Sequence, residues 1–406
     1  MNTLKYKKTA AALIEMELPV SKSILNRELI LSGIHGQIID LGEMSSFPDD
    51  CQLMVHALLG KTMQVDVGHA GTAMRFLTAF FASQPGRRTL IGSERMHQRP
   101  IHILVDALRE LGAAITYLGK EGCPPLEING TRLNGGKVSV SGEVSSQFIS
   151  ALLLCAPRFE EGLELELVPP ITSRPYIGLT LAALTRAGIR HQMEGNTITI
   201  PPQKAKDFKL SMERDWSAAA YGYGLVALGC CEELLFPGLT VKTWQGDSIV
   251  GQLFAMLGVQ TGESELGVHL IRKSGPPSSF SRDMSDCPDL AQPLAFTCAA
   301  LGVECDLWGL HTLPMKETDR IKAMVECLSQ VGIQAEHGTD FIRFRGKISA
   351  SSPPHFKTYK DHRMAMSLAL WTPVIGQVSL EDASVVSKSY PQFWIEMEKL
   401  GVNLKT

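Results

Sequence analysis

Apolar positions in IHILVDALREL (101–111) and SAAAYGYGLVALG (217–229) recur at the three-to-four-residue spacing of a helix face. In KVSVSGEV (137–144) and NTITIPP (196–202) they alternate with polar positions, which predicts half-buried strands. NGG (134–136) and SGPPSS (274–279) carry turn chemistry and read as surface loops. Helices therefore fall between strand pairs, the order of α/β units whose helices pack against one sheet face.

The pattern repeats along the chain. A helix-like segment ending in Leu-Gly or a close variant, followed by a short strand-like stretch, recurs as LRELGAAI, LTRAGIRH, FAMLGVQT, CLSQVGIQA and MEKLGVNL. Their glycines, Gly112, Gly188, Gly258, Gly332 and Gly401, lie 76, 70, 74 and 69 residues apart. Glycine ends many helices, so one such match would mean little. Five at this spacing predict repeated α/β units, and a looser copy, VHALLGK with Gly60, makes six.

The run PMKETDRIK (314–322) packs five charges into nine positions ahead of an apolar periodic segment. If residues 315–329 form a helix, Ile321, Met324, Val325 and Leu328 make its buried face. Lys316 and Arg320 are then i, i+4 neighbours, a like-charge pair costing a few tenths of a kcal/mol that an anion would relieve. Glu317 projects toward the apolar side and Asp319 roughly opposite. A solvated first turn, with Glu317 and Asp319 complementing the helix dipole, accounts equally well for the run taken alone.

Other short polar or glycine steps run into apolar helices in the same way. In VSKSILNRELILSG, Ser21 to Ser23 precede an apolar segment, so Lys22, Ser23 and Arg27 could meet an anion where backbone N–H groups point outward. Ordinary capping accounts for the serines by themselves. HAGTAMRFLTAFFA offers Gly71, which permits close backbone approach, then Thr72 and Arg75, although a plain turn explains a lone Gly-Thr. SSQFISALLLCA repeats the arrangement with Ser145, Ser146 and Gln147, and YKDHRMAMSLAL with Asp361, His362 and Arg363. A lone histidine at a helix start is usually a capping or packing residue; beside an arginine it becomes a candidate. Several such starts in separate repeats imply N-termini converging on one cleft.

A chain of 406 residues, 44% hydrophobic and 20% charged, exceeds the size at which one core keeps growing, so two domains are expected. The net charge of −3 gives no global basic field, and the sequence has no local basic patch, so no nucleic-acid partner is expected. The nine cysteines include no CxxC and no His/Cys metal spacing, which fits a reducing compartment; the adjacent Cys230 and Cys231 read as packing residues. Near the N-terminus AALI is too short for a signal segment and is followed by Glu15 and Glu17, and no run approaches a membrane span. A cytoplasmic chain with no membrane partner is expected.

LPVSKSILNR, HAGTAMRFL, RMHQRPIHILVDAL, SSQFISALLL, SRPYI, MKETDRI, YKDHRMAM and SKSYPQF occur in the order seen in the EPSP synthases, the 3-phosphoshikimate 1-carboxyvinyltransferases. The chain resembles that family essentially from end to end, with KETDR and DHRMAM the most specific of these motifs. The resemblance implies a two-domain, inside-out α/β arrangement of six βαβαββ-type units. Residues 1–20 and 216–406 would form a discontinuous domain, residues 21–215 an inserted one, and the active site would lie in the interdomain cleft.

The reaction so implied moves the enolpyruvyl group of phosphoenolpyruvate onto the 5-hydroxyl of shikimate 3-phosphate, releasing phosphate through a tetrahedral intermediate, with no metal or organic cofactor and in a monomer. By position in the matching motifs, Lys22, Arg99, Arg320, Arg363 and Lys388 would clamp phosphoenolpyruvate, with Gly71 and Gln147 beside it. Ser23, Arg27, Ser145, Ser146, Ser173 and Lys316 would hold shikimate 3-phosphate, with Gln147 and Asp289 adjoining. Asp289, in CPDLAQPLAF, would be the base for the attacking hydroxyl, although an N-cap is its simpler role. Glu317, with Lys22, would handle the proton at the methylene carbon.

Departures from the family pattern are His69 for the usual Asn before Ala-Gly-Thr, Val20 for Gly, Phe76 for Pro and Thr312 for Asn. None removes an expected charge. Gly71 leaves room for the inhibitor glyphosate, while a bulky Phe76 could shift the helix carrying Thr72 and Arg75. The sister transferase acting on UDP-N-acetylglucosamine carries a cysteine where this chain reads GSERMHQRP, and Lys-Asn where it has Lys22-Ser23. A non-catalytic anion binder on the same scaffold would not need both carboxylates. A nucleotide-binding module would need a glycine loop that is absent from this sequence.

Overall fold

A computed structural model describes residues 2–9, 13–37, 42, 44–143, 145–273 and 275–405. Part of AALI, Val144 of an expected strand and Ser274 of an expected loop lie outside these residues. The expected helices form as His102–Glu110 and Trp216–Ala227, and the strands as Gly136–Ser141 and Thr197–Ile200. Asp215 starts the Trp216–Ala227 helix by accepting a hydrogen bond from the Ala218 amide at 2.9 Å.

Five four-stranded sheets share one plan. In Gln64–Asp66, Gly86–Ile91, Ala114–Tyr117 and Leu126–Gly130, the first two strands pair in parallel, the fourth lies antiparallel beside the second, and the third closes the edge. Helices Gly71–Ala82 and His102–Glu110 connect them, giving a βαβαββ order. The strands from Gly136 to Ile200 and those from Ser279 to Phe344 repeat this order and pairing. Two further copies are completed by the start of the chain. Leu13–Glu15 pairs in parallel with Glu233–Pro237, and Asn2–Tyr6 lies between Gln377–Leu380 and Val402–Lys405.

Each of these five copies contains one of the strict repeat glycines, and each glycine lies where its helix hands over to the next strand. Gly112, Gly188, Gly258, Gly332 and Gly401 have φ of 103°, 70°, 86°, 80° and 88°, values costly for any residue with a Cβ. Gly60, the looser copy, follows helix Asp49–Leu59 without a left-handed backbone. That copy also contains helix Lys22–His35; among the described residues no sheet is assigned to it, and residues 38–41 fall outside them.

The chain divides into two units, one of Met1–Ser21, Ser45–Asp49 and Glu213–Thr406, the other of Lys22–Met44 and Asp50–Met212. Glu213–Asp215 belong with the first because the Ser21 amide donates to the Glu213 carbonyl at 2.7 Å and the Asp215 amide to the Pro19 carbonyl at 3.0 Å. Within each unit the helices form the interior and the sheets the shell. In the first, every residue of Trp216–Ala227 except Ser217 is buried, as is all of His362–Ala369. In the second, Gly71–Ala82 is buried except for Thr72, and Ser146–Cys155 except for Gln147. The strands alternate buried and exposed positions, as in Leu163–Val168. Burying each large side chain of the first unit's core, among them Trp216, Tyr221 and Trp371, contributes about 1.5–3 kcal/mol.

The charged run departs from expectation. The helix begins at Arg320, not at residue 315, and runs to Gln330. Pro314 sits in the short turn Leu313–Met315, and Asp319 takes an extended backbone with its carboxylate accepting from the Lys322 amide at 3.2 Å. Lys316 and Glu317 therefore precede the helix, and the i, i+4 geometry expected for Lys316 and Arg320 does not apply. Ile321, Met324 and Leu328 are buried as expected, with Ala323 and Cys327, whereas Val325 is only partly so.

A Cβ on Gly401 would stand 2.3 Å from the Lys7 carbonyl oxygen, in a backbone conformation that side chains disfavour. Gly401→Ala is expected to destabilise the first unit by about 1–3 kcal/mol. An unchanged urea midpoint would contradict that role for the repeat glycine.

Candidate active site

In the first unit, five turns and helix starts deliver charge to one place. Asp289 comes from the turn Pro288–Leu290 ahead of helix Ala291–Leu301, and Asp361 and Arg363 from the start of helix His362–Ala369. Lys316 and Glu317 follow the Leu313–Met315 turn, Arg320 opens the next helix, and Lys388 ends the turn Ser384–Lys388.

Arg320, 1% exposed, is the centre of this group. Its Nε and Nη2 donate to the two oxygens of Asp361 at 2.8 and 3.3 Å, its Nη1 to Asp289 Oδ1 at 2.9 Å, and its Nη2 to Glu317 Oε2 at 3.1 Å. Arg363 Nη2 donates to the other Asp289 oxygen at 3.0 Å, and Lys316 Nζ lies 3.5 Å from Asp289 Oδ1. Lys388 Nζ donates to Glu317 Oε1. Four cations thus meet three carboxylates, and Lys316 and Arg320, although not helix neighbours, share Asp289 Oδ1.

Asp289 is no helix cap. Its side chain is 19% exposed, and its carboxylate faces cations. Burial, the largest single influence, would push its carboxyl up; Arg363, Lys316 and Arg320 together outweigh that and the repulsion of Glu317, holding the group well below the usual carboxylate range. Asp361 serves twice, since Oδ1 also accepts from the Arg363 amide at 2.9 Å as the helix cap. His362 is buried with Nδ1 3.7 Å from Asp361 Oδ1. Nearby, Asp247 is 3% exposed and accepts from the Ser217 hydroxyl. Burial first, then repulsion from Asp289, pushes it up to about 6.

The second unit has a different character. Gly71 starts its helix directly beneath Arg99: a Cβ there would stand 2.6 and 2.7 Å from the two terminal nitrogens of that guanidinium. Thr72 and Gln147, the two incompletely buried residues of their helices, are joined by an Nε2 to Oγ1 hydrogen bond of 3.1 Å. Ser145 caps its helix by accepting from the Gln147 amide at 3.2 Å, and Ser146 is buried behind it. Ser173 precedes helix Arg174–Arg186 at φ 53°, a left-handed conformation that costs a non-glycine residue about 1 kcal/mol or more.

Lys22 donates to Asp50 Oδ2 at 3.0 Å. Arg27 is buried and donates to the Ser23 carbonyl at 2.6 Å, Thr180 Oγ1 at 2.8 Å, Ser150 Oγ at 3.2 Å and the Tyr176 carbonyl at 3.3 Å. Arg75 donates to the Gly71 and Pro100 carbonyls and lies over Phe148. Ser21, a member of the first unit, donates to Gln245 Oε1 instead. The substituted positions also find places. His69 Nδ1 is 2.9 Å from the Ser93 hydroxyl, Val20 bridges to Arg214, and Phe76 is wholly buried within an uninterrupted helix.

The structure thus gathers Asp289, Lys316, Glu317, Arg320, Arg363 and Lys388 in one network, and Gly71 with Arg99. Sequence reasoning missed Asp50 as the partner of Lys22, Asp361 as that of Arg320, Asp247 beside Asp289 and Thr72 as that of Gln147. Asp361 and Thr72 carried a local signal, each at a helix start; Asp50 and Asp247 act through contacts 28 or more residues apart along the chain. Among the described residues no three His, Cys, Asp or Glu side chains are grouped to hold a metal, and no helix is long and apolar enough to cross a membrane.

Residues 56–397 match the family described as EPSP synthase (3-phosphoshikimate 1-carboxyvinyltransferase). The chain belongs to the EPSP synthase family. It is 41% identical over 393 residues to a 3-phosphoshikimate 1-carboxyvinyltransferase of Bacteroides fragilis, covering 96% of each chain. It is 32% identical over 426 residues to that of Haemophilus influenzae, covering 95% of this chain and 96% of the other. An EPSP synthase structure from Acinetobacter baumannii, 20% identical, superposes with a TM-score of 0.75 over 100% of this chain and 99% of that one, showing the shared fold. As a member of the EPSP synthase family the chain is an enzyme, a transferase of the shikimate pathway.

Gly71→Ala is expected to push the Arg99 guanidinium aside by roughly 1 Å, the distance needed to restore ordinary contact. A variant crystal structure with Arg99 unmoved would refute this.

Asp247 makes a pH prediction of definite sign. Folded, it keeps its proton to about pH 6; unfolded, it loses it near 3.8. Its stabilising contribution is full below about pH 4 and is lost as pH rises through 6, a change of about 3 kcal/mol. Asp289 runs the other way, stabilising above the ordinary carboxyl value and failing as pH falls. Asp247→Asn is expected to gain stability relative to the parent between pH 4 and 7. Parallel urea-unfolding profiles for the two proteins would contradict the assignment.

Proposed function

We propose that the chain transfers the enolpyruvyl group of phosphoenolpyruvate to the 5-hydroxyl of shikimate 3-phosphate, releasing phosphate through a tetrahedral intermediate. Family membership supports the reaction, and the observation that carries the residue assignment is the network around Arg320, in which both proposed proton-transfer carboxylates are held between cations.

Phosphoenolpyruvate is held by Lys22, Gly71, Arg99, Gln147, Arg320, Arg363 and Lys388. Arginine forks suit its carboxylate and phosphate, and the bare backbone at Gly71 lets Arg99 settle against the helix start. Shikimate 3-phosphate is held by Ser23, Arg27, Ser145, Ser146, Gln147, Ser173, Asp289 and Lys316. Serine hydroxyls and amides at helix starts suit a phosphate monoester.

Asp289 accepts the proton of the 5-hydroxyl as its oxygen bonds to the central carbon of phosphoenolpyruvate. Glu317, with Lys22, delivers a proton to the methylene carbon. The reverse proton removal from that carbon expels phosphate and restores the double bond. In the free protein Asp289 is a weak base, because three cations stabilise its charge. Substrate anions that engage Arg363, Arg320 and Lys316 weaken that hold, so basicity rises when both substrates are in place. A cytoplasmic location and a monomeric state belong to the same proposal.

Release of inorganic phosphate should depend strictly on both substrates. Asp289→Asn and Glu317→Gln are each expected to lower kcat by about 10²–10⁴ while retaining the parent's circular dichroism spectrum. Near-parental turnover in either variant would remove that residue from the chemistry, and phosphate release from phosphoenolpyruvate alone would remove the reaction.

A further inference from the structure

Arg27 differs from the cations around Arg320. It is 3% exposed, and among the described residues no carboxylate lies within ion-pair distance of it. Among the described residues its guanidinium is held by neutral oxygens, the Ser23 and Tyr176 carbonyls and the Thr180 and Ser150 hydroxyls, and those two hydroxyls are themselves 2.7 Å apart. Burial pushes it down to about 10, with Tyr176 acting in the opposite direction, which leaves it charged at neutral pH. A desolvated cation without a counter-charge needs some other source of negative potential. Phe76, 0% exposed, presents its ring to Arg27 with the guanidinium carbon 5.5 Å from the ring centre.

We infer that Phe76 is a positioning residue for the anionic substrate: its ring face holds the Arg27 guanidinium in place without neutralising it, so that the substrate supplies the missing negative charge. This rests on the reading that Arg27 holds shikimate 3-phosphate. An aromatic face attracts a cation through its quadrupole yet carries no net charge, unlike the carboxylates around Arg320. The usual proline of the family would offer no such face and no amide to the helix, whereas Phe76 lets Gly71–Ala82 run unbroken past it. The substitution thus has a specific consequence for the substrate subsite.

The test is calorimetric binding of shikimate 3-phosphate to the full chain. Phe76→Leu, which keeps an apolar filling, is expected to weaken binding about threefold to tenfold, the size of a cation–π contact, with kcat at saturation near the parent's. A ring-fluorinated phenylalanine at position 76, nearly the same shape with the ring's negative face removed, is expected to weaken binding similarly, and serves also should the leucine variant fail to fold. In an Arg27→Gln background Phe76→Leu should cost nothing further. Parental affinity with the fluorinated ring, or an equal loss in the Arg27→Gln background, would overturn the inference while leaving Arg27's role standing. Parental affinity in Arg27→Gln alone would overturn both.

Discussion

A guanidinium that is 1% exposed must be surrounded by acceptors or not be buried at all, and Arg320 sets this condition for its whole unit. Three carboxylates meet it, from Asp289, Glu317 and Asp361. Each arrives from a different turn or helix start, so satisfying one charge fixes the relative placement of helices Ala291–Leu301, Arg320–Gln330 and His362–Ala369 at their N-terminal ends. The same carboxylates then hold Arg363, Lys316 and Lys388. One buried charge therefore organises the cations that the proposed reaction uses, and the buried network explains why so charged a run as PMKETDRIK precedes an apolar helix.

The two units hold their most buried arginines in different ways. In the first, carboxylates neutralise the cations, so an incoming anion must share them with groups already bound. In the second, Arg27 and Arg75 are buried against carbonyls, hydroxyls and aromatic rings. Neutral acceptors cost less competition when an anion arrives, but they stabilise the cation less, and burial accordingly lowers Arg27 to about 10. Lys22 of the second unit, paired with Asp50, follows the pattern of the first.

Much of the architecture was legible because its signals are local and repeated. A left-handed glycine ends a helix whatever lies around it, and five such glycines at nearly equal spacing marked the five copies that carry a sheet. The looser sixth, Gly60, keeps the Leu-Gly pair but lacks the left-handed backbone. The helix starts later than expected because residues 316–320 are all polar and carry no periodic signal, while Asp319 sets the start through a cap that competes with other uses of an aspartate in so charged a run. Asp50 and Asp247 were illegible for a different reason. Their partners are set by tertiary packing, and nothing in their own neighbourhoods marks them.

Asp289 shows how the proposed reaction would combine strong attraction with proton transfer. Three cations hold its charge in place and so suppress its basicity in the free protein. A base that was strong at rest would be protonated and would release Arg363 and Lys316 from their positions. Keeping the carboxylate ionised keeps the cations ordered; drawing those cations onto substrate anions is what returns basicity to Asp289 in the proposed reaction. The ordering of the site and the activation of its base are then one electrostatic exchange, which ties proton abstraction to the presence of the substrates that need it.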